Sequence, residues 1–183
     1  MILKNKVFNA LLSAEERQQL KDVIIYEKQN RLMGVVIHGD DGVIVDPEEY
    51  NVIRIDGDRG RLLIESINIP ENIISKLTKV VKDEYADCEY VGATYCEYDK
   101  KYGNNPILEM HFDREGNNAC LDYQFESNTQ WALVIDKNEY ELVDNQSVIF
   151  QPSVQFHGRK PKEFENEEFL NMFFFWFEMP AND

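Results

Sequence analysis

The strongest constraint on the fold lies in the second half of the chain, where short apolar segments alternate with turn residues at near-regular spacing. From Tyr90 onward the candidate strands are Gly92 to Tyr98, Ile107 to Asp113, Cys120 to Glu126, Trp131 to Ile135, Glu139 to Leu142, Ser147 to Phe150, Val154 to His157 and Phe169 to Phe177. Between them stand Tyr102 to Pro106, Glu115 to Asn118, and Ser127 with Asn128, stretches rich in Gly, Asn and Pro. Many short strands separated in this way specify an antiparallel sandwich or jelly roll.

The first half adds helices and hairpins to that core. Ser13 and Glu16 form a capping box, and Leu20, Val23 and Ile24 follow at helical spacing, which predicts a helix from about Ala14 to Glu27. The period then shortens. Gly34 to His38 and Val43 to Val45 flank Gly39, Asp40, Asp41 and Gly42. Asn51 to Ile55 and Arg61 to Glu65 repeat the arrangement around Asp56 to Gly60, so two successive hairpins are expected. Pro70 suits the first position of a second helix, whose stripe of Ile73, Ile74, Leu77, Val80 and Val81 should end near Tyr85. With no internal repeat or low-complexity linker, the reading is a single α+β domain over 1–183, mainly β with flanking helices. Residues 1–90 are helical and hairpin support; 91–183 are the β core.

Charge and cysteine usage narrow the function. Thirty-four acidic against nineteen basic residues leave a formal charge of -15, which repels phosphate backbones and anionic lipid, so neither nucleic acid nor membrane is an expected partner. The acidity serves solubility or attracts a cationic substrate or basic partner. Cys88, Cys96 and Cys120 are odd in number and lack CxxC spacing, which argues for a reducing compartment and for buried thiols. The longest apolar run, Met172 to Phe177, is too short to span a bilayer, and no signal peptide is recognisable at the start; a cytoplasmic protein is expected. Oligomeric state is open, since the first helix's apolar stripe serves core packing or self-association equally.

Only three histidines are present. His111 and Asp113 stand at i and i+2 on a candidate strand, a spacing that points both side chains to one face. With so many acids, the chance that at least one of three histidines shows this spacing is roughly one in two, so the pair alone says little. His157 follows Asp113 with 43 residues and about four strands between, and in an antiparallel barrel that count returns the chain beside the first pair. Two imidazoles and one carboxylate on one face are the ligand set of a non-haem Fe(II) site with open positions. The competing reading is a hydrogen-bonded histidine on a strand and an Asp opening a turn. Glu109 shares the face and reads as a rim charge. His38 sits among glycines with no nearby ligand and reads as a surface or core histidine.

The order of His111 to Asp113, Leu121 to Asn128, Trp131 to Ile135, Asp144 to Phe150 and His157 resembles the double-stranded β-helix core of the Fe(II)- and 2-oxoglutarate-dependent dioxygenases. The likeness spans roughly Tyr95 to Phe177. It implies a cupin-like jelly roll in which His111, Asp113 and His157 bind Fe(II), 2-oxoglutarate is co-substrate, and a small molecule or peptide side chain is hydroxylated. A carboxylate at 113 implies hydroxylation over halogenation. The resemblance also calls for a basic anchor for the distal carboxylate nine to eleven residues after the last histidine. Asn166, Glu167 and Glu168 stand there instead. Arg159 is then the first candidate, because a planar fork suits a carboxylate; Lys160 and Lys162 follow it closely. Tyr123 is a candidate hydrogen-bond donor to the keto acid, or equally a core tyrosine. The alternatives are a cupin-type metal enzyme that uses no keto acid and a non-enzymatic jelly-roll binding module.

Overall fold

A computed structural model describes residues 4–36, 52–85, 87–113 and 118–180. Two β-sheets face each other, and two helices cover the outer face of the larger. In chain order the elements are β1 (Lys6–Asn9), α1 (Ala14–Asn30), β2 (Leu32–Val36), β3 (Val52–Asp56), β4 (Arg61–Ile64), α2 (Glu71–Lys82), β5 (Glu89–Asp99) and β6 (Asn118–Ser127). They continue with β7 (Leu133–Ile135), β8 (Asn138–Tyr140), β9 (Gln146–Phe150), β10 (His157–Arg159) and β11 (Phe169–Glu178). The large sheet runs β1-β9-β6-β11-β5-β4-β3-β2 and the small one β10-β7-β8. Residues 107–113 run along the outer side of β10: His111 and His157 exchange both backbone hydrogen bonds, at 2.8 and 2.9 Å, and Leu108 accepts the Arg159 amide at 2.8 Å.

The middle of the large sheet is β11, paired antiparallel to β5 and β6, so that Phe173 faces Tyr95 on one side and Tyr123 on the other. Its alternation is apolar on both faces, as a strand buried on both sides requires. Phe173, Phe175 and Phe177 pack outward with Leu20 and Ile24 of α1 and Ile73, Leu77 and Val81 of α2. Leu170 and Met172 pack inward with Tyr98, Trp131 and Phe164. Full burial of a phenylalanine contributes about 2–3 kcal/mol, so this strand anchors both halves of the core.

Helix α1 starts where its sequence says it should. Ser13 Oγ accepts the Glu16 amide at 3.2 Å and Glu16 accepts the Ser13 amide at 2.6 Å. In α2, Pro70 takes the cap position, one residue before the helix, and Lys82 ends it. The second expected hairpin is present as β3–β4, joined by a single 3-10 turn over Gly57–Arg59. The first lies partly outside the described residues, with His38 and the segment around Gly39 to Gly42; its leading strand β2 pairs parallel to β3. β1, which carries no alternation, closes the sheet edge against β9. Among the described residues no helix is long and apolar enough to cross a membrane. All three cysteines are buried and unpaired, and burial pushes the Cys96 thiol up to about 12.

Candidate metal centre

The topology brings two distant stretches together at one end of the small sheet. His111 and His157 are opposite each other on adjacent strands, and Asp113 is tied across the gap by its amide, which donates to the Pro152 carbonyl at 3.0 Å. One ligand atom from each of His111, Asp113 and His157 lies within 4.8 Å of the other two. Asp113 Oδ1 is 3.2 Å from His111 Nε2 and 3.7 Å from His157 Nε2.

Backbone carbonyls orient both rings. His111 Nδ1 donates to the Glu109 carbonyl at 2.6 Å, and His157 Nδ1 donates to the Gln155 carbonyl at 3.0 Å. A carbonyl only accepts, so each Nδ1 carries the proton and each Nε2 turns a lone pair toward Asp113. Gln155 is itself locked, its Oε1 accepting the Gln151 amide at 2.8 Å and its Nε2 donating to Asn5 at 2.8 Å. Gly158 allows the strands to meet this closely: a Cβ there would sit 2.7 Å from the Glu109 oxygen and 2.8 Å from Met110 Cα.

The two imidazoles differ in charge preference. When the half-buried His111 ring is protonated, its Nε2 donates to the Asp113 carboxylate, which raises the His111 pKa, whereas burial lowers that of His157. Burial pushes the Asp113 carboxyl up, but its hydrogen bond to His111 and the two imidazole charges outweigh that and hold it below the usual range. Neutral nitrogens and an ionised oxygen suit a divalent first-row metal, so the residues present fit the ion that this donor set implies.

The triad opens into a cavity of about 460 Å³, lined also by Arg54, Arg59, Arg61, Asp122, Phe150 and Trp176. Asp122 projects from β6 into it and is fully buried. Burial drives its carboxyl up to about 6 against the opposing charge of Arg159, 3.9 Å away, and Oδ1 has no hydrogen-bond partner among the described residues.

The expected co-substrate residues fare differently. Arg159 is 4 % exposed and lies behind Asp122, its guanidinium donating to the Trp131 carbonyl and to Met172 Sδ. Tyr123 corrects the expectation. It leaves β6 on the face opposite Asp122, packs with Phe125 and Phe175 under the helices, and donates to Asn145 Oδ1 at 2.9 Å. Lys160 is also displaced. It follows Arg159 by one residue, so it points outward and pairs with Glu139 at the surface. Lys162 is taken up by Thr129 and by Glu168, 3.1 Å away. Glu109 contributes its carbonyl, and its side chain is exposed.

No family model matches the sequence, and no curated protein does. Solved structures do match. A viral collagen prolyl hydroxylase of Paramecium Bursaria Chlorella virus-1, in complex with 2-oxoglutarate, superposes with a TM-score of 0.61 at 11% identity, over 97% of this chain and 96% of that one. The fold is the double-stranded β-helix of the Fe(II)- and 2-oxoglutarate-dependent oxygenases. Two further structures agree. HygX of Streptomyces hygroscopicus, with nickel, 2-oxoglutarate and hygromycin B bound, gives 0.61 at 6% identity, covering 96% of this chain and 82% of that one. A Trichoplax adhaerens prolyl hydroxylase, in complex with a hypoxia inducible factor peptide fragment, gives 0.56 at 14% identity, covering 95% and 83%. In this double-stranded β-helix, β5, β6, β9 and β11 form the major wall, and the 107–113 segment, β10, β7 and β8 form the minor one.

Three supporting residues were not evident beforehand: Gln155, Gly158 and Asp122. Gly158 carried a readable signal, a glycine between His157 and Arg159 at the point where two strands must touch.

Proposed function

We propose that the protein is an Fe(II)- and 2-oxoglutarate-dependent oxygenase that hydroxylates a small molecule or a peptide side chain. One observation carries this reading: three converging ligand atoms, with both Nε2 lone pairs freed by backbone hydrogen bonds, at the mouth of a cavity inside a double-stranded β-helix. The superposed prolyl hydroxylase and HygX structures, which carry 2-oxoglutarate, support the choice of co-substrate.

In this reading His111, Asp113 and His157 hold Fe(II), which when bound supplies dioxygen activation coupled to decarboxylation of the keto acid. The chain's own part is positional. Glu109 and Gln155 carbonyls fix ring tautomers, the His111–His157 backbone pair sets the ligand spacing, and the barrel wall of Leu133, Phe150 and Trp176 excludes water. Arg159 is the residue assigned to the distal carboxylate, being a buried fork on the strand that carries His157. The Asp122 carboxylate competes with the keto acid for Arg159, so Arg159 is most available when Asp122 is protonated.

The test is an anaerobic Fe(II) titration of metal-free protein with and without 2-oxoglutarate, followed by visible absorption. A keto-acid-dependent charge-transfer band that disappears in His157→Ala is the expected result. Metal binding without the band overturns the keto-acid assignment, and no stoichiometric metal overturns the whole reading.

A further inference from the structure

The cavity has two walls of opposite character. The triad occupies the small-sheet side, and across from it β3, β4 and the turn between them present Arg54, Arg59 and Arg61. These are three of only seven arginines in a chain of formal charge -15, so cations are concentrated on this side of the cavity, with Glu65 beside them and Asp113 and Asp122 elsewhere in the lining. Alternation explains two of them: Arg54 and Arg61 share the inward face of the β3–β4 pair with Leu63.

The three guanidinium groups are unequally engaged. Arg61 gives two nitrogens to Asp56 Oδ2, each at 3.2 Å, and is buried. Arg54 has one nitrogen 3.3 Å from Glu65, while its Nε is buried with no partner among the described residues. Arg59 lies 3.9 Å from the Asp56 oxygen that Arg61 already uses, and its side chain stays 43% exposed. Two guanidinium groups thus share one carboxylate, and the positive excess falls on Arg59, the more exposed of the two.

The turn that carries Arg59 is held rigidly beside the metal centre. Asp56 Oδ1 accepts the Arg59 amide at 3.3 Å, and Gly60 follows in the left-handed region at φ 54°. A Cβ at Gly60 would meet the Asn104 carbonyl oxygen at 2.2 Å, so only glycine fits. The Arg59 carbonyl accepts the Ile107 amide at 3.3 Å, and that same segment runs on to His111.

Planar donors with spare hydrogen-bonding capacity, fixed in a half-enclosed cavity, match a carboxylate. Beside them Phe112, 55% exposed and 5.1 Å from the Phe156 ring, gives an apolar flank. Resting on the reading of the centre as an iron oxygenase, we infer that Arg59 and Arg54 form a carboxylate-recognition shelf that selects an acidic substrate and presents it to the triad. The keto acid's distal carboxylate offers the same chemistry, and the assignment here is to the substrate, since the reading above gives the co-substrate to Arg159.

Metal-stripped full-length protein, titrated with benzoate and with its neutral analogue benzamide, tests the shelf through the fluorescence of Trp176, which lines the cavity. Benzoate should bind about tenfold more tightly, and Arg59→Gln and Arg54→Gln should each remove most of that preference while keeping the wild-type melting temperature. Equal binding of the two probes, or an unchanged preference in both variants, overturns the shelf. The source of the carboxylate is then read from the anaerobic Fe(II) band: in Arg59→Gln, half-saturation by 2-oxoglutarate should stay within about twofold of wild type. A rise of about tenfold or more would make the shelf a co-substrate anchor and overturn the substrate assignment. Absence of the band in the wild type would refute the oxygenase reading while leaving the benzoate result standing, so the two failures are separable.

Discussion

Gly158→Ala places one methyl group where two ligand-bearing strands touch, and its cost can be worked out from the structure. The added Cβ would lie 2.7, 2.8 and 2.9 Å from Glu109 O, Met110 Cα and Glu109 C, all backbone atoms that no rotamer change can move. Ordinary contact requires 3.4 Å or more, so the 107–113 segment must retreat from β10 by at least half an ångström or so. The three hydrogen bonds at the contact, 2.8, 2.9 and 2.8 Å long, stretch accordingly. Overpacking costs about 1–3 kcal/mol, and weakening of the hydrogen bonds adds about 1 kcal/mol. Loss of glycine's unfolded-state freedom returns about 0.5 kcal/mol, for a net destabilisation of about 1.5–3.5 kcal/mol. Urea denaturation of the metal-free variant measures this directly. Ligand spacing tolerates only about 0.2 Å, so metal affinity in a chelator competition should fall about 10- to 100-fold. Wild-type stability together with wild-type metal affinity would refute the argument that this close approach sets the ligand geometry.

Two other perturbations probe the core and the buried charge. Asp122 has its pKa raised by burial to about 6, so the folded state holds a proton that the unfolded chain has released between about pH 4 and pH 6. Its contribution is therefore most favourable below pH 4 and is lost as pH rises through 6. The stability of wild type relative to Asp122→Asn should fall by about 3 kcal/mol between pH 3.5 and 7, and a pH-independent difference would contradict the burial argument. Phe173 is fully buried against Tyr95, Phe125 and Phe175, with ring centroids 5.1, 5.3 and 5.6 Å away. Phe173→Ala should cost about 3–5 kcal/mol in the same denaturation assay, and a loss below about 1 kcal/mol would mean the helices do not rely on this cluster.

What was legible in the sequence was local. Ser13 and Glu16 announced the start of α1, and the apolar run within Phe169 to Phe177 announced a strand. Non-local facts were not. β6 is buried on both sides, so alternation placed Tyr123 on an apolar face without saying which one; the helices, not the barrel interior, receive it. The parallel partnership of β2 with β3 leaves no mark in either segment, and β1, mostly exposed, lacks the period that would reveal it. Lys160 stood as a candidate behind Arg159 because the limits of β10 were unknown; one residue along a strand reverses the face. The arginines of the proposed shelf, Arg54 and Arg59, were visible within one hairpin, but the inward aim of Arg54 depends on which face of β3–β4 meets the helices.

The two walls of the barrel are unequal, and that inequality governs how the protein should lose function. The major wall belongs to an eight-stranded sheet backed by both helices, whereas the wall bearing the metal ligands is built from three-residue strands and a histidine–histidine bridge. Opening free energies within a protein follow such differences in buried contact, so the minor wall is the low-stability unit. On warming, amide protons of His111 and His157 should exchange well before those of β11, and the site should come apart while most of the secondary structure is still in place. A bound metal, clasping both strands of that bridge, would then raise the temperature of inactivation far more than that of global melting.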